Sequence, residues 1–247
     1  MSPHSHHHPL PPSPPPPRPP PPTSTLNLEE LFHVSMLQLA SESEAESLSA
    51  LHLLERSLVP NPQPDPISPP ELIRGVVKML CHPHAAKPAT KVLLALCLAE
   101  PNRSAAVGVG AVGGVMEAVA EMECSTAERA LAALELMCTV AEGAAELRSH
   151  ALAVPMMVEM MGRLEGYRGK EYAMSVLAVI YGGDKEVAAA PPEEVARAVA
   201  LALQGECSAR GRRKGALLLK MLTESDRPLD VSHDGHDDSG CVMDDEF

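Results

Sequence analysis

The sequence has no tryptophan, and only 2% of its 247 residues are aromatic. That scarcity excludes a nucleic-acid surface built on bases stacked against aromatic rings. Any core must be made of Leu, Val, Ala and Met. Positive charge is also short: 20 Lys and Arg stand against 33 Asp and Glu, a net of −13. Binding to a phosphate backbone is therefore not expected as the main task. None of the six cysteines (Cys81, Cys97, Cys124, Cys138, Cys207 and Cys241) forms a CxxC pair, so a zinc ribbon or ring finger is unsupported. Cys97 and Cys138 fall inside helical apolar runs and read as small buried thiols in a reducing compartment. No run approaches the ~20 apolar residues that span a bilayer, and no apolar segment near the N-terminus resembles a secretory signal. The sequence contains no P-loop, no nucleophile with a base at a recognisable spacing and no telling pair of carboxylates. The expectation is an intracellular chain with no membrane span, catalytic residues, cofactor, metal or small-molecule substrate.

What the sequence does contain is a period. Ala130, Leu134 and Met137 sit at i, i+4 and i+7, one face of a helix. The same small–large–large triplet recurs as Ala89, Leu93 and Leu96, as Ala173, Leu177 and Ile180, and as Gly215, Leu219 and Leu222, with a weaker copy at Ser47, Leu51 and Leu54. Successive leucines are 42, 41, 43 and 42 residues apart. A second landmark runs in step: Pro70, Gly113, Pro155 and Pro192 each stand before an apolar helical run. Proline suits a first helical turn, where the N–H it lacks has no intrahelical partner. A period near 42 residues points to armadillo or HEAT units. Each such unit exposes an apolar face that only the next can cover, so the units stack.

The two ends differ from the middle. Residues 1–25 form a leader with twelve prolines among its first twenty-two residues, a composition that favours extended polyproline II over helix. Arg18 is its only cation, and the spacing an SH3 ligand requires puts Ser13 or Ser24 where proline belongs. His4, His6, His7 and His8 have no partner ligands nearby and read as a solvated tail. Residues 226–247 carry eight acids against Arg227 and have almost nothing to bury, so a disordered acidic tail is expected. Between them, residues 26–225 read as the repeat domain. It is broken by the proline-rich loop 61–70, where Ser68 is a candidate cap for the helix starting near Pro70.

Two constellations invite a chemical reading. Gly108, Gly110 and Gly113 spell GxGxxG, but the dinucleotide fingerprint needs a preceding strand, and here a repeat helix precedes it. The glycines read instead as a helix-to-helix corner, with Val112-Gly113 opposite Val154-Pro155. His82 and His84 lack further ligands at helical spacing and read as loop residues.

The corners NRSAAVGVGAVGGVMEAV and SHALAVPMMVEMM resemble armadillo corners. The run from ERALAALELMCTVAEGAAELRSHALAVP through GKEYAMSVLAVIYG to ALQGECSARGRRKGALLLKML is similar to the C-terminal armadillo half of plant U-box proteins. The resemblance covers about residues 70–222, and Gly211, Arg212, Arg213, Lys214 and Gly215 are its most specific part. It implies an all-α, right-handed armadillo-like solenoid of four to five repeats. It also implies a place in protein ubiquitination, with stress or defence signalling as the setting. The family's E2-docking U-box carries a Cys-Pro opening, an Asp-Pro-Val segment and a later Trp with Cys-Pro. This sequence has no Trp and no Cys-Pro, and Asp65-Pro66-Ile67 only echoes the middle segment. Ligase activity by this chain alone is therefore not expected.

The expected function is a protein-interaction module whose third helices line a concave face. The candidate contacts are Lys91, Arg129, Lys170, Arg210, Arg212, Arg213 and Lys214. The partner classes implied are a ubiquitination substrate, a kinase or a related U-box protein, in the cytoplasm and also the nucleus. The acidic tail is expected to compete weakly for the basic cluster at 210–214.

Overall fold

The computed structural model describes residues 25–60, 67–183 and 191–225. Among them are twelve α-helices, two 3₁₀ turns and no strand. The leader 1–24, the tail 226–247 and segments 61–66 and 184–190 lie outside the described residues, and with them the expectations placed on the two ends.

The helices fall into units of the expected period. Helices α1 (Thr25–Leu39) and α2 (Glu44–Leu58) form the first, and α3 (Pro70–Lys78) and α4 (Ala86–Cys97) the second. Two full triplets follow: α5 (Glu100–Gly108), α6 (Ala111–Ala118) and α7 (Cys124–Met137), then α8 (Ala141–Ser149), α9 (Ala153–Arg163) and α10 (Tyr167–Tyr181). Helices α11 (Pro192–Gln204) and α12 (Ala209–Ser225) close the series. The long last helices pack side by side in the order α2, α4, α7, α10, α12, while α1 packs on α3, α3 on α6 and α9 on α11. The chain is thus an all-α, armadillo-like solenoid of five units.

The triplets that set the period are the core of the ladder. Ala89, Leu93, Leu96, Ala130, Leu134 and Met137 are all fully buried, as are Leu51, Leu54, Ala173 and Leu177. In α12 the register slips by one residue: Leu218 and Leu222 are buried, whereas Leu219 is half-buried. Gly215 does serve a close crossing, since a Cβ there would come within 2.8 Å of the Leu203 side chain on α11.

The proline landmarks need a similar adjustment. Pro70 and Pro192 open α3 and α11 as expected. Gly113 and Pro155, however, lie inside the first turns of α6 and α9 rather than before them. Their backbone nitrogens are still among the four without an intrahelical acceptor, so proline is tolerated there too. Ser68 is not a helix cap: Pro69 holds that position and makes no side-chain cap. Ser68 is instead buried, and its N–H donates to Asn102 Oδ1 at 2.9 Å while Asn102 Nδ2 donates to Leu96 O at 3.0 Å. One amide on α5 thus stitches the entry of α3 to the exit of α4.

The glycine-rich stretch is a helix–helix corner. Gly110 turns it in the left-handed region at φ 82°, a conformation costly for a residue with a Cβ. The amide of Gly113 donates to Glu146 Oε1 on α8 at 3.2 Å, so a carboxylate from the next unit caps the start of α6. Among the described residues no single helix is long and apolar enough to cross a membrane. The apolar stretches Glu100–Gly108 and Ala111–Glu121 reach such a length only together, and they meet at 76°.

Arginines close helix ends between units. Arg163 at the end of α9 donates to the carbonyls of Val119 and Met122, each at 3.0 Å, and to Ala120 O. Arg103 donates to Cys97 O at 2.8 Å and Leu98 O at 3.2 Å, and Arg148 donates to Val179 O at 3.0 Å. Cations at helix C-termini satisfy carbonyls that have no intrahelical donor and oppose the negative end of the dipole.

Candidate protein-interaction face

Each ladder helix that buries its triplet presents a second row of side chains away from the core. On α4 and its C-cap the row is Lys91, Leu94, Ala95 and Leu98, at i, i+3, i+4 and i+7. On α7 it includes Arg129, Ala132 and Glu135, and on α10 it includes Arg168, Tyr172 and Ser175. Four consecutive ladder helices converge on one open cleft of about 490 Å³. Its apolar wall is formed by Leu58, Leu94, Ala95, Leu98 and Ala132, with Tyr172 at one side. Lys91, Arg129, Arg168 and Glu128 stand around it. Leu98 is 51% exposed and the adjoining Val59 44%, an exposure that Leu37, Leu152, Leu201 and Leu217 match or exceed elsewhere on the surface; what sets Leu98 apart is its place beside the cleft.

The charged groups are organised across helices. Lys91 Nζ donates to Glu55 Oε1 on α2. Burial pushes the Glu55 carboxyl up, but Lys91 beside it, with a smaller contribution from His52, pulls it below the usual value overall. On α7, Glu135 accepts from Arg210 at 3.0 and 3.2 Å and from Lys214, both on α12. Lys214 also reaches Ser175 Oγ on α10. The Tyr172 hydroxyl is pushed up by burial and by Glu135, against the opposing pull of Arg168 and Arg210.

The structure therefore separates the candidate cations into three groups. Lys91 and Arg129 share the cleft, Arg129 donating only to Ser125 O on its own helix at 2.8 Å. Arg210 and Lys214 meet at Glu135, outside the cleft lining, although Glu135 and Arg210 are close enough to act on Tyr172 at its side. Arg212 donates to Cys207 O at 2.8 Å, Arg213 is exposed on α12, and Lys170 is half-buried on α10. Sequence reasoning missed Glu55, Glu135, Arg168 and Tyr172. The signal for Tyr172 was available, because Arg129, Tyr172 and Lys214 each stand one residue before the small member of their triplet.

Charge is also segregated by helix. The ladder helices α2, α4, α7, α10 and α12 carry eleven of the chain's 20 Lys and Arg against seven Glu, a net of +4 in a chain of −13. Cys97 and Cys138 lie behind this face, and burial pushes both thiols up to about 12. His82 and His84 lie just after a 3₁₀ turn, in the connection to α4.

Residues 34–232 match the family model for the plant U-box protein ARM repeat region. The chain is 33% identical over 163 residues to U-box domain-containing protein 26 of Arabidopsis thaliana, a match covering 62% of this chain and 38% of that protein. It is 33% identical over 176 residues to U-box domain-containing protein 25 of the same plant, covering 69% of this chain and 41% of that one. The chain thus spans well under half the length of these relatives. Among solved structures, a designed armadillo repeat protein in complex with the peptide (KR)4 superposes with a TM-score of 0.54 at 14% identity, over 79% of this chain and 85% of that one. A second designed armadillo repeat protein superposes with a TM-score of 0.58, also at 14% identity and over the same shares of the two chains.

Proposed function

The chain belongs to the plant U-box protein family through its ARM repeat region, and on that premise we propose that the ladder face grips an extended protein segment as the partner-binding half of a ubiquitin-ligase system. One observation carries the reading: an open cleft with an apolar wall and a charged rim crosses four successive ladder helices. Concave sites that combine apolar contact with a few placed charges are where peptides gain both affinity and orientation. The partner classes in keeping with the family are a ubiquitination substrate, a kinase or a related U-box protein. The cytoplasm and nucleus are the compartments in which a fluorescent fusion should be sought.

The test compares the full chain with a Leu98→Asp/Arg129→Glu variant as bait for plant proteins, followed by titration of each purified hit. Leu98 is half-exposed and Arg129 makes no inter-helix bond, so the variant changes the face and not the core. Hits that bind both forms equally would remove the cleft as the binding site.

The second reading is ligase participation, with a U-box supplied by another chain or another segment of the same product. Its support is the family. Purified chain with E1, E2 and ubiquitin separates the possibilities: self-modification makes the chain a ligase in its own right. Modification of a bound partner only when an intact relative is added makes it a component. Loss of the relative's own ubiquitination on adding this chain makes it a competitor.

A further inference from the structure

The ladder face has an address for a ligand of defined chemistry, and this chain contains a segment that fits it. In an acidic molecule the cleft lining itself is cationic: Lys91, Arg129 and Arg168 stand against Glu128, a net of +2. Arg210 and Lys214 are already turned onto Glu135, and Lys91 onto Glu55. Among the described residues Arg129 and Arg168 are joined to no carboxylate by an ion pair, and they flank an apolar wall that includes the exposed Leu98. Among the described residues Glu128 is the one carboxylate lining the cleft; Glu55 reaches it through its pair with Lys91, and Glu135 lies near Tyr172 at its side. The matching ligand is an apolar residue pair bracketed by carboxylates. A basic peptide would meet a face of its own sign.

We propose that the cleft between α4, α7 and α10 is a docking site for the chain's own acidic segment 237–246, with Val242 and Met243 against Leu94, Leu98 and Tyr172 and the bracketing aspartates facing Arg129 and Arg168. The segment reads Asp237-Asp238-Ser239-Gly240-Cys241-Val242-Met243-Asp244-Asp245-Glu246, an apolar pair between two acidic clusters. Its reach is sufficient. Neighbouring helix axes lie about 8–10 Å apart, so the cleft is roughly 25 Å from α12 across the ladder. Cys241 stands sixteen positions after Ser225, and a chain of that length extends to at most about 55 Å. Its unstrained span of about 22 Å is close to the distance required. The inference rests on the reading that the ladder face binds extended segments. It relocates the tail from the 210–214 cluster, where two of the cations are paired already, to the cleft. There apolar contact, which salt does not screen, joins the charges.

The test uses the full chain and a carbodiimide, which joins carboxylates to amines in contact. Lys91 is the amine nearest Arg129 and Arg168 in the cleft lining, so the expected product links Asp244 or Asp245 to Lys91 within one chain, in competition with the Glu55–Lys91 link that the structure allows without the tail, and is shown by mixing isotopically heavy and light protein. Val242→Asp/Met243→Asp adds negative charge while removing the apolar pair, and Leu98→Asp blocks the wall at an exposed position. Each should reduce the product at least about fivefold. Unchanged yield in both, or links mainly between heavy and light chains, overturns docking within the chain.

A labelled peptide of residues 237–247 then reads the cleft itself. With an intrinsic dissociation constant of about 0.1 mM and a tethered concentration of about 1 mM, the native tail weakens added peptide about tenfold. The peptide should therefore bind the Val242→Asp/Met243→Asp chain about ten times more tightly than the native chain. Equal binding to both overturns the proposal but leaves the ladder face as a peptide site. No binding to either overturns the proposal and counts against the ladder-face reading as well.

Discussion

Glu135 on α7 and Lys214 on α12 are bonded although α10 lies between them in the ladder. Ser175 of α10 joins the same ammonium, so three units meet at one charge. Glu135 and Lys214 are only 19% and 23% exposed, which distinguishes this junction from a surface ion pair. Glu135→Gln should cost about 1–2 kcal/mol in chemical denaturation, below the roughly 3–5 of a fully buried broken pair. Glu224→Gln, which removes the exposed Lys220–Glu224 pair, should stay within about 0.5 kcal/mol. Equal effects would show that the junction carries no special weight.

Arg163 closes the turn between α6 and α7 of the preceding unit through three carbonyls. Arg163→Lys keeps the charge but cannot reproduce a planar fork of donors. It should lose about 1–2 kcal/mol, and Arg163→Ala about 2–3, as read by urea midpoints. Hydrogen exchange should quicken around 119–122 before it does elsewhere.

The core triplets set a stability pattern along the ladder. Leu134→Ala, at a fully buried position, should cost about 2–5 kcal/mol. Leu217→Ala, at a position 51% exposed, should cost under about 0.5. In α12, Leu218→Ala should exceed Leu219→Ala, and the reverse order would restore the register expected from the sequence.

The buried thiols predict a response to alkali. Burial raises Cys97 and Cys138 from an ordinary value of 9.0 to about 12. Below pH 9 both folded and unfolded thiols are protonated, and the native state is unaffected. Above it the unfolded chain releases protons that the folded chain retains, so stability falls from about pH 9 to 12, by up to about 1.4 kcal/mol per pH unit for each thiol. Tyr172 and Tyr181, also pushed up by burial, act in the same direction at higher pH. Cys97→Ala/Cys138→Ala should flatten the fall. At neutral pH, iodoacetamide should label the exposed Cys81 and Cys124 well before either buried thiol.

The architecture was legible because it repeats. A small residue followed by two large ones at helical spacing is a statement about one helix, and its recurrence every 42 residues or so is a statement about stacking. Short helices escaped that signal. Helices α5 and α8 have nine residues each, too few turns for a period to emerge, and α5 begins at Glu100-Pro101, which reads as an exit from α4. The slip to Leu218 was equally hidden, because Leu217, Leu218 and Leu219 offer the same side chain in three registers. Ser68 looked like a cap because hydroxyl residues before a proline-led helix usually are. Only the fold reveals Asn102, 34 residues away in sequence. The face was legible as a set of cations and not as a geometry, since the pairing of Arg210 and Lys214 with Glu135 joins residues 75 and 79 positions apart.

The segregation of charge gives the molecule an electric dipole. The ladder helices α2, α4, α7, α10 and α12 stand at +4, while α1, α3, α5, α6, α8, α9 and α11 carry a net of −4. Such a dipole acts before any contact is made, turning the ladder toward an approaching anionic segment while the two are still separated by water. Its signature is kinetic. Raising the ionic strength should slow the arrival of an acidic ligand much more than it hastens departure, because departure is governed by apolar contact that ions do not shield.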